Sequence, residues 1–233
     1  MAFTDRFKRA FIVFCGLVAA AGFIAHSVLE ETPAEARYIP FGERDRQEHY
    51  RISPYDSLIK VWSDSAGLDW RLVSAVVYHE SHFKHDAVSH RGAAGLMQMM
   101  PATARAFGAD SLMDPSQSVK AGTRYLKSLR YRYRGVAANP TEQDKLMLAA
   151  YNAGGSRMTD LINYARWKGV DPGYWDNIVE LIPDFRTDSI LTVDTVKLGK
   201  FQGHETIEYV KAVMARYGHY QRIAPVEASV PQH

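Results

Sequence analysis

The chain has 233 residues, of which 46% are hydrophobic and 23% charged, a composition that excludes a disordered tail and a fibrous repeat. Its 28 Lys and Arg residues against 26 Asp and Glu residues give a net charge of +2, which argues against a dedicated nucleic-acid binder. The single cysteine, Cys15, excludes an intrachain disulfide and a multi-cysteine zinc site.

The first 36 residues have the pattern of a targeting segment. Basic residues precede an apolar run over residues 10–25, and acidic residues follow it. This order predicts a secretory signal peptide or an N-terminal membrane anchor over residues 10–29, with the rest of the chain outside the cytoplasm. The run is longer than a typical signal core and shorter than a typical span, so both alternatives stay open.

The remainder of the chain is predicted to hold one domain with flanking segments. Residues 37–52 are polar and charged and contain a proline and a glycine, which indicates a linker. The domain is predicted over residues 53–222, with Ser53 capping its first helix and Pro54 at the first helical position. A short C-terminal tail, residues 223–233, is predicted to follow.

Helical signals dominate the predicted domain. Asp69 is predicted to cap a helix that runs to Phe83, and Thr141 with Asp144 resembles the capping box of a later helix. Period-two alternation, which is typical of strands, is confined to residues 188–202. The predicted fold class is therefore mainly α, with a small β-hairpin near residues 188–202.

Glu80 is a carboxylate on an apolar helix face. In the helix that follows Asp69 it shares a stripe with Val73, Val76 and Val77. Burial disfavours an ionised carboxylate and raises its pKa, and a glutamate that is protonated near neutral pH is suited to general acid catalysis. The alternative is that the Glu80 side chain points into solvent at a fraying helix end.

A segment rich in glycine and methionine, residues 91–101, follows this helix. Gly92 and Gly95 permit a tight backbone, and Gln98 can donate and accept hydrogen bonds as sugar amides and hydroxyls require. Taken alone, the methionines of this segment and Tyr151 farther along the chain are better explained by core packing.

The order of these residues resembles the lytic transglycosylase SLT family. The resemblance runs from about residue 53 to residue 220. It is carried by five blocks, at residues 80–83, 87–104, 114–126, 150–154 and 204–210. His85 stands where the family often has proline, which predicts a change of loop conformation only. The long segment before the last block is most similar to the membrane-bound murein transglycosylase F type.

The resemblance implies a lysozyme-like fold that cleaves the MurNAc–GlcNAc β-1,4 bond of peptidoglycan without metal or cofactor. By motif position it implies Glu80 as the sole catalytic acid/base, with Tyr151 donating a hydrogen bond toward it. Because the matched motifs supply one carboxylate, Glu80 is expected to act twice and to leave 1,6-anhydroMurNAc ends. The residues that the resemblance implies for substrate binding are Ser89, Gln98, Met100, Tyr151, Asn152 and Glu205.

The expected partners and location follow from the resemblance and from the N-terminal pattern. Peptidoglycan glycan strands are the expected partner, together with the inner membrane through residues 10–29 if that segment is retained, and no nucleic acid is expected. The expected location is the periplasm or cell envelope. The basic, tyrosine-containing stretch over residues 120–134 is also typical of an anionic-ligand surface, although the solvated face of an amphipathic helix explains it more simply.

Three rival functions are considered. A hydrolytic muramidase would share the fold and the acid but deliver water to the sugar carbon. A non-catalytic wall-binding or scaffold protein would keep the fold alone. A zinc hydrolase is suggested by the histidines near His79, but the zincin pattern requires a second histidine where Phe83 stands.

Overall fold

α-Helices make up most of residues 51–224, the part of the chain that the computed structural model describes. The predicted targeting segment, and most of the predicted linker and tail, lie outside these residues. Two 3-10 helices, Ile182–Arg186 and Asp188–Thr192, precede the last α-helix. The α-helices are α1 Asp56–Ala66, α2 Trp70–Ser81, α3 Pro101–Ala106, α4 Pro115–Tyr133, α5 Pro140–Ala153, α6 Gly155–Trp167, α7 Trp175–Leu181 and α8 His204–Ile223.

Helix α2 lies at the centre of the hydrophobic core. Residues 71–77 of α2 are all buried, so the single apolar stripe visible in the sequence understates how deeply this helix lies. Its most extensive helix–helix contact is with α8. The guanidinium of Arg71 bonds the Asp69 carboxylate and the carbonyl of Ala224, and the Tyr217 hydroxyl donates to Asp69 at 2.9 Å. These bonds fix the start of α2 against the end of α8.

Asp69 caps α2 as predicted, but two other predicted helix starts are wrong. The Asp69 carboxylate accepts the N–H of Arg71 at 2.9 Å. Helix α1 begins at Asp56 rather than Pro54, because the Asp56 carboxylate binds the N–H groups of residues 52 and 53 and holds this backbone outside the helix. Helix α5 is capped by Asn139, two residues before Thr141.

The hairpin predicted near residues 188–202 is wrong. Residues 188–192 form a 3-10 helix, and no strand occurs in the rest of this segment. Arg157 of α6 donates to the carbonyls of residues 198, 199 and 200, and Asp160 accepts the N–H groups of residues 197 and 198. Two buried side chains therefore satisfy the backbone groups that strand pairing would have used.

None of the helices between residues 51 and 224 has the length and apolar character needed to cross a bilayer.

Candidate active site

Glu80 lies in the last turn of α2, with only part of its side chain exposed. Its Oε1 accepts a hydrogen bond of 2.6 Å from the hydroxyl of Tyr209 on α8. Burial raises the pKa of Glu80 from its ordinary value of 4.5 to about 7, and the hydrogen bond from Tyr209 acts in the opposite direction. Near neutral pH, this carboxyl group therefore exists in both protonated and ionised forms.

The backbone turns sharply directly after Glu80. His82 and Phe83 have φ angles of 51° and 60°, in the left-handed region that non-glycine residues seldom adopt. The Ser81 hydroxyl donates to the carbonyl of Leu96 at 2.9 Å, which ties the end of α2 to the segment at residues 91–101. Unfavourable backbone conformations are kept where the surrounding structure overdetermines them, often at functional sites.

The segment at residues 91–101 is fixed by its own side chains and by a close backbone approach. The Gln98 amide group donates to the carbonyls of Ala87 and Gly95, both at 2.9 Å. Gly95 has φ 78°, and a Cβ at this position would lie 2.0 Å from the carbonyl oxygen of Leu112. The glycine therefore serves both the left-handed backbone and the packing, as the sequence pattern suggested.

A pocket of about 250 Å³ brings four of the predicted binding residues together. Met100 is 47% exposed at its edge, which is unusual for a core methionine and fits a role on the wall of a cleft. The residues that line it are Gln98, Met99, Met100, Thr103, Tyr125, Tyr151, Asn152, Ala153 and Gly154.

A second pocket, of about 290 Å³, holds Glu205 in the first turn of α8. Arg91 and residues 201–206 line it. The hydroxyl of Thr206 donates to Oδ1 of Asn152 at 2.8 Å, so a direct hydrogen bond joins the walls of the two pockets. Glu80 and Ser89 line neither of the two pockets. Oγ of Ser89 accepts the N–H of Ala93 at 3.0 Å within a tight turn.

The predicted hydrogen bond from Tyr151 to Glu80 is wrong. The Tyr151 hydroxyl donates to the carbonyl of Met97 at 2.7 Å, and Tyr209 occupies the role expected of Tyr151. Tyr151 is still electrostatically coupled to Glu80: burial first, and then the Glu80 charge, raise the pKa of Tyr151 well above its ordinary value. Tyr209 lies one helical turn after Glu205, and this spacing was a signal in the sequence that both face the same region.

The predicted histidine cluster does not form a metal-binding arrangement. Within residues 51–224, no three or more His, Cys, Asp or Glu side chains are grouped so as to hold a metal ion. His79 and His82 both pack against the ring of Tyr78, with ring centroids 5.4 Å and 4.8 Å apart.

Comparison with known proteins places this site in a family. Residues 57–172 match the family model described as the transglycosylase SLT domain. A membrane-bound lytic murein transglycosylase F from Desulfosudis oleivorans is 31% identical over 180 residues, which are 77% of this chain and 39% of that protein. The chain thus spans about two fifths of the length of that curated relative.

Solved structures give the same result. The 70 kDa soluble lytic transglycosylase from Escherichia coli superposes with a TM-score of 0.51 at 25% identity, over 77% of this chain and 26% of that one. An inactive glutamate-to-glutamine mutant of the lytic transglycosylase Slt from Pseudomonas aeruginosa superposes with a TM-score of 0.53 at 26% identity, over 74% of this chain and 25% of that one. The mainly α, lysozyme-like fold is thus confirmed, and the chain belongs to the transglycosylase SLT-domain family.

Proposed function

We propose that this chain is a peptidoglycan lytic transglycosylase, and that Glu80 is its single catalytic acid/base. The observation that carries the proposal is the Glu80 carboxyl group, which is desolvated at the end of α2, receives one hydrogen bond from Tyr209 and has a pKa of about 7. A carboxyl group with this pKa can give up a proton and take one back near neutral pH, as one group acting in two steps requires. Family membership and the names of the relatives support the same reaction.

The electrostatics around Glu80 support a mechanism with one carboxylate. Burial and the Tyr209 hydrogen bond account for the pKa of Glu80, and no charge of a second carboxylate contributes among the described residues. Ordinary glycosidases place two carboxylates about 5–10 Å apart, one on each side of the scissile bond. With a single group, the nucleophile is best supplied by the substrate itself.

The proposed reaction has two proton transfers. Protonated Glu80 first donates its proton to the glycosidic oxygen, and the bond from that oxygen to C1 of MurNAc breaks with oxocarbenium character at C1. The resulting Glu80 carboxylate then removes the proton from the C6 hydroxyl of the same MurNAc. The C6 oxygen attacks C1 and closes the 1,6-anhydro ring, which returns Glu80 to its protonated form. Because the nucleophile belongs to the same sugar, its effective concentration is high and no water needs to be positioned.

We propose that the two pockets hold the glycan strand around this carboxyl group. Gln98 keeps its side-chain oxygen for a substrate N–H or hydroxyl, because its NH₂ group is already bonded to the backbone. Met100 and Tyr151 offer apolar wall surface for sugar rings in the first pocket. Asn152 offers a polar group in the first pocket and Glu205 one in the second. In this proposal Ser89 acts indirectly, by shaping the turn through its bond to Ala93.

The cell envelope is the proposed location. The membrane-bound relatives support it, as does the basic and then apolar pattern that predicts an anchor or signal peptide over residues 10–29. To test this location, the recognition site of a sequence-specific protease is inserted after residue 36. The protease is then added to cells whose outer membrane has been permeabilised, and a chain in the cell envelope is expected to be cleaved.

The reaction is tested by digesting purified peptidoglycan with the full chain and identifying the muropeptide ends by mass spectrometry. The expected ends are lighter by one water than hydrolytic ends and resist borohydride reduction. Reducible ends would instead show that water is the nucleophile and that the chain is a hydrolytic muramidase. The Glu80→Gln variant, run in parallel, is expected to release no products.

A further inference from the structure

We infer that Trp167 and its neighbours form a second sugar-binding surface, outside the two pockets of the candidate active site, that holds the glycan strand against the domain. The inference rests on the proposed function, because that function supplies the polymer of sugar rings. Trp167 is the last residue of α6 and lines neither pocket. It is also one of the most exposed large hydrophobic side chains among the described residues, at 59%.

The Trp167 ring is supported by stacking and largely exposed. It stacks on the ring of Tyr164 with centroids 5.6 Å apart and an interplanar angle of 26°. Tyr164 is buried beneath it and packs edge-to-face on Phe185 at 5.1 Å. Nζ of Lys168 also lies over the Trp167 ring, 6.0 Å from its centroid, but Trp167 is still 59% exposed, so a large part of this side chain meets solvent. The stack therefore holds an apolar ring rigidly at the surface, which lowers the entropy cost of binding a ligand there.

A polar rim borders this ring. Nζ of Lys168 lies 3.4 Å from Oδ2 of Asp184, and the Tyr164 hydroxyl donates to the same oxygen at 2.7 Å. Oδ1 of Asp184 has no hydrogen-bond partner within residues 51–224, and the side chains of Asp184 and Lys168 are each 41% exposed. The rim thus offers an acceptor for a sugar hydroxyl and a donor for a hydroxyl or N-acetyl carbonyl.

Charge and shape favour a sugar polymer as the occupant. Lys168 is paired with Asp184, and Arg166 is the one other basic residue in the last turn of α6, so this helix end lacks the cluster of four or more basic residues that an anionic lipid surface attracts. A flat apolar ring bordered by a few hydrogen-bonding groups matches N-acetylated sugars, which present C–H faces, acetyl methyl groups and hydroxyl edges.

Tyr131 provides a matched contrast. It is 63% exposed, and thus as accessible as Trp167, but the guanidinium of Arg134 lies over its ring at 3.9 Å from the centroid. Its accessible face is therefore occupied by a cation of the same helix end. A cation also lies over the Trp167 ring, but Nζ of Lys168 is 6.0 Å from its centroid, against 3.9 Å for Arg134 over Tyr131. The two aromatic residues therefore differ in how closely a cation covers the ring and in the Tyr164 ring stacked beneath Trp167.

The test is co-sedimentation of the full chain, in mild detergent, with insoluble peptidoglycan sacculi. All proteins carry Glu80→Gln, so that binding is measured without turnover. Adding Trp167→Ala is expected to weaken binding about three- to tenfold, the effect of losing one aromatic stacking contact. Trp167→Phe, which keeps a ring face, is expected to recover part of the affinity, and Tyr131→Ala to bind as the parent does. Thermal unfolding by circular dichroism checks that each variant is folded.

A second measurement separates this surface from the catalytic site. With Glu80 intact, Trp167→Ala is expected to cleave a soluble tetrasaccharide muropeptide at the parent rate and to cleave sacculi more slowly. The inference would be overturned if Trp167→Ala bound sacculi as the parent does, or if Tyr131→Ala lost as much affinity for sacculi. It would also be overturned if Trp167→Ala lost affinity only for vesicles of anionic phospholipid. If the parent chain forms 1,6-anhydro ends and Trp167→Ala binds normally, only this inference fails. If the parent forms no such ends, the proposed function fails, independently of the binding result.

Discussion

Two partly or fully buried carboxylates of this domain have opposite surroundings. Asp160 on α6 is 3% exposed, accepts two backbone N–H groups at 3.0 Å and 2.8 Å, and has the Arg157 guanidinium 3.7 Å away. Glu80 on α2 receives a single hydrogen bond, from the neutral hydroxyl of Tyr209. The two groups are similar chemically, and their positions in helices give no hint of this contrast.

Hydrogen-bond donors distinguish a carboxylate that holds the backbone from one that can transfer a proton. Asp160 accepts the N–H groups of residues 197 and 198, so its charge is used to hold this backbone in place. Burial raises the pKa of Glu80 to about 7, because only the Tyr209 hydrogen bond opposes it, and this leaves the group able to exchange a proton. Burial is common to both sites, and the supply of hydrogen-bond donors decides which role follows.

Glu80→Gln is expected to have the largest effect. Removing the acid/base should reduce turnover of sacculi by about 10²–10⁴-fold, the usual contribution of general acid–base catalysis, measured as release of soluble muropeptides. Exposed Glu208 on the same helix as Tyr209 provides the control, since Glu208→Gln should leave the rate unchanged. Near-parental turnover by Glu80→Gln would contradict the assignment of Glu80.

The same variant tests the pKa of Glu80 through protein stability. The folded-state pKa of about 7 lies above the ordinary 4.5, so the folded protein binds this proton more tightly than the unfolded one. The free energy of unfolding should therefore fall as pH rises from about 4.5 to 7, by on the order of 3 kcal/mol for this group. Between pH 5 and pH 8, the free energy of unfolding measured in urea should fall less in Glu80→Gln than in the parent protein. An equal fall in the two proteins would contradict the raised pKa.

Arg157→Met should destabilise the buried site around Asp160. It leaves the buried Asp160 charge without its guanidinium and removes donors to three carbonyls, which should cost about 3–5 kcal/mol in the free energy of unfolding. Urea unfolding measures this. The control is Lys200→Met, which breaks an ion pair with the exposed Asp188 and should cost under about 1 kcal/mol. Equal losses in the two variants would show that Asp160 is not held by Arg157.

Gly95→Ala should distort the segment beside Glu80 more than Gly92→Ala does. Both glycines have positive φ, at 78° and 83°, but only the Cβ at Gly95 would collide with a neighbour, the carbonyl of Leu112. We expect Gly92→Ala to cost about 1–2 kcal/mol of stability and Gly95→Ala roughly 2–4 kcal/mol, with loss of activity only in the latter. Equal stabilities by thermal unfolding would show that the segment adjusts freely.

Tyr209→Phe should have the smallest effect and the most specific one. The Tyr209 hydroxyl stabilises the ionised form of Glu80, so its removal should raise the pKa of Glu80 further and move the alkaline limb of the kcat/KM profile to higher pH. More of Glu80 is then protonated at neutral pH, so we expect the rate there to stay within about twofold of the parent rate. Tyr151→Phe, whose hydroxyl donates to Met97, should leave that limb in place. A shift in Tyr151→Phe alone would reverse the two assignments.

The sequence predicted the helices and the position of Glu80 because these depend on local patterns. Apolar spacing along α2 put Glu80 on the inner face, and Asp69 was identified as its cap from residue type alone. The resemblance predicted six substrate-binding residues, and four of them lie together in one pocket: Gln98, Met100, Tyr151 and Asn152. Glu205 lines the second pocket, and Ser89 lines neither.

The remaining features depend on contacts between residues distant in sequence. Tyr209 reaches Glu80 from 129 positions away, and this pairing is decided by how α8 packs on α2. The segment at residues 188–202 has the alternation of a strand, but its backbone is satisfied by Arg157 and Asp160, which no local pattern reveals. In both cases the packing of helices determined which hydrogen bonds could form.

The most direct test of the central claim is a titration of the Glu80 carboxyl group itself. The full chain, labelled with ¹³C at glutamate side-chain carboxyl carbons, is followed by NMR from pH 3 to pH 9, and the Glu80→Gln spectrum identifies the Glu80 signal. We predict a midpoint near the value of about 7 that burial gives this group. A midpoint close to 4.5 would mean that Glu80 is ionised at neutral pH, and it would contradict its role as the acid that starts the reaction.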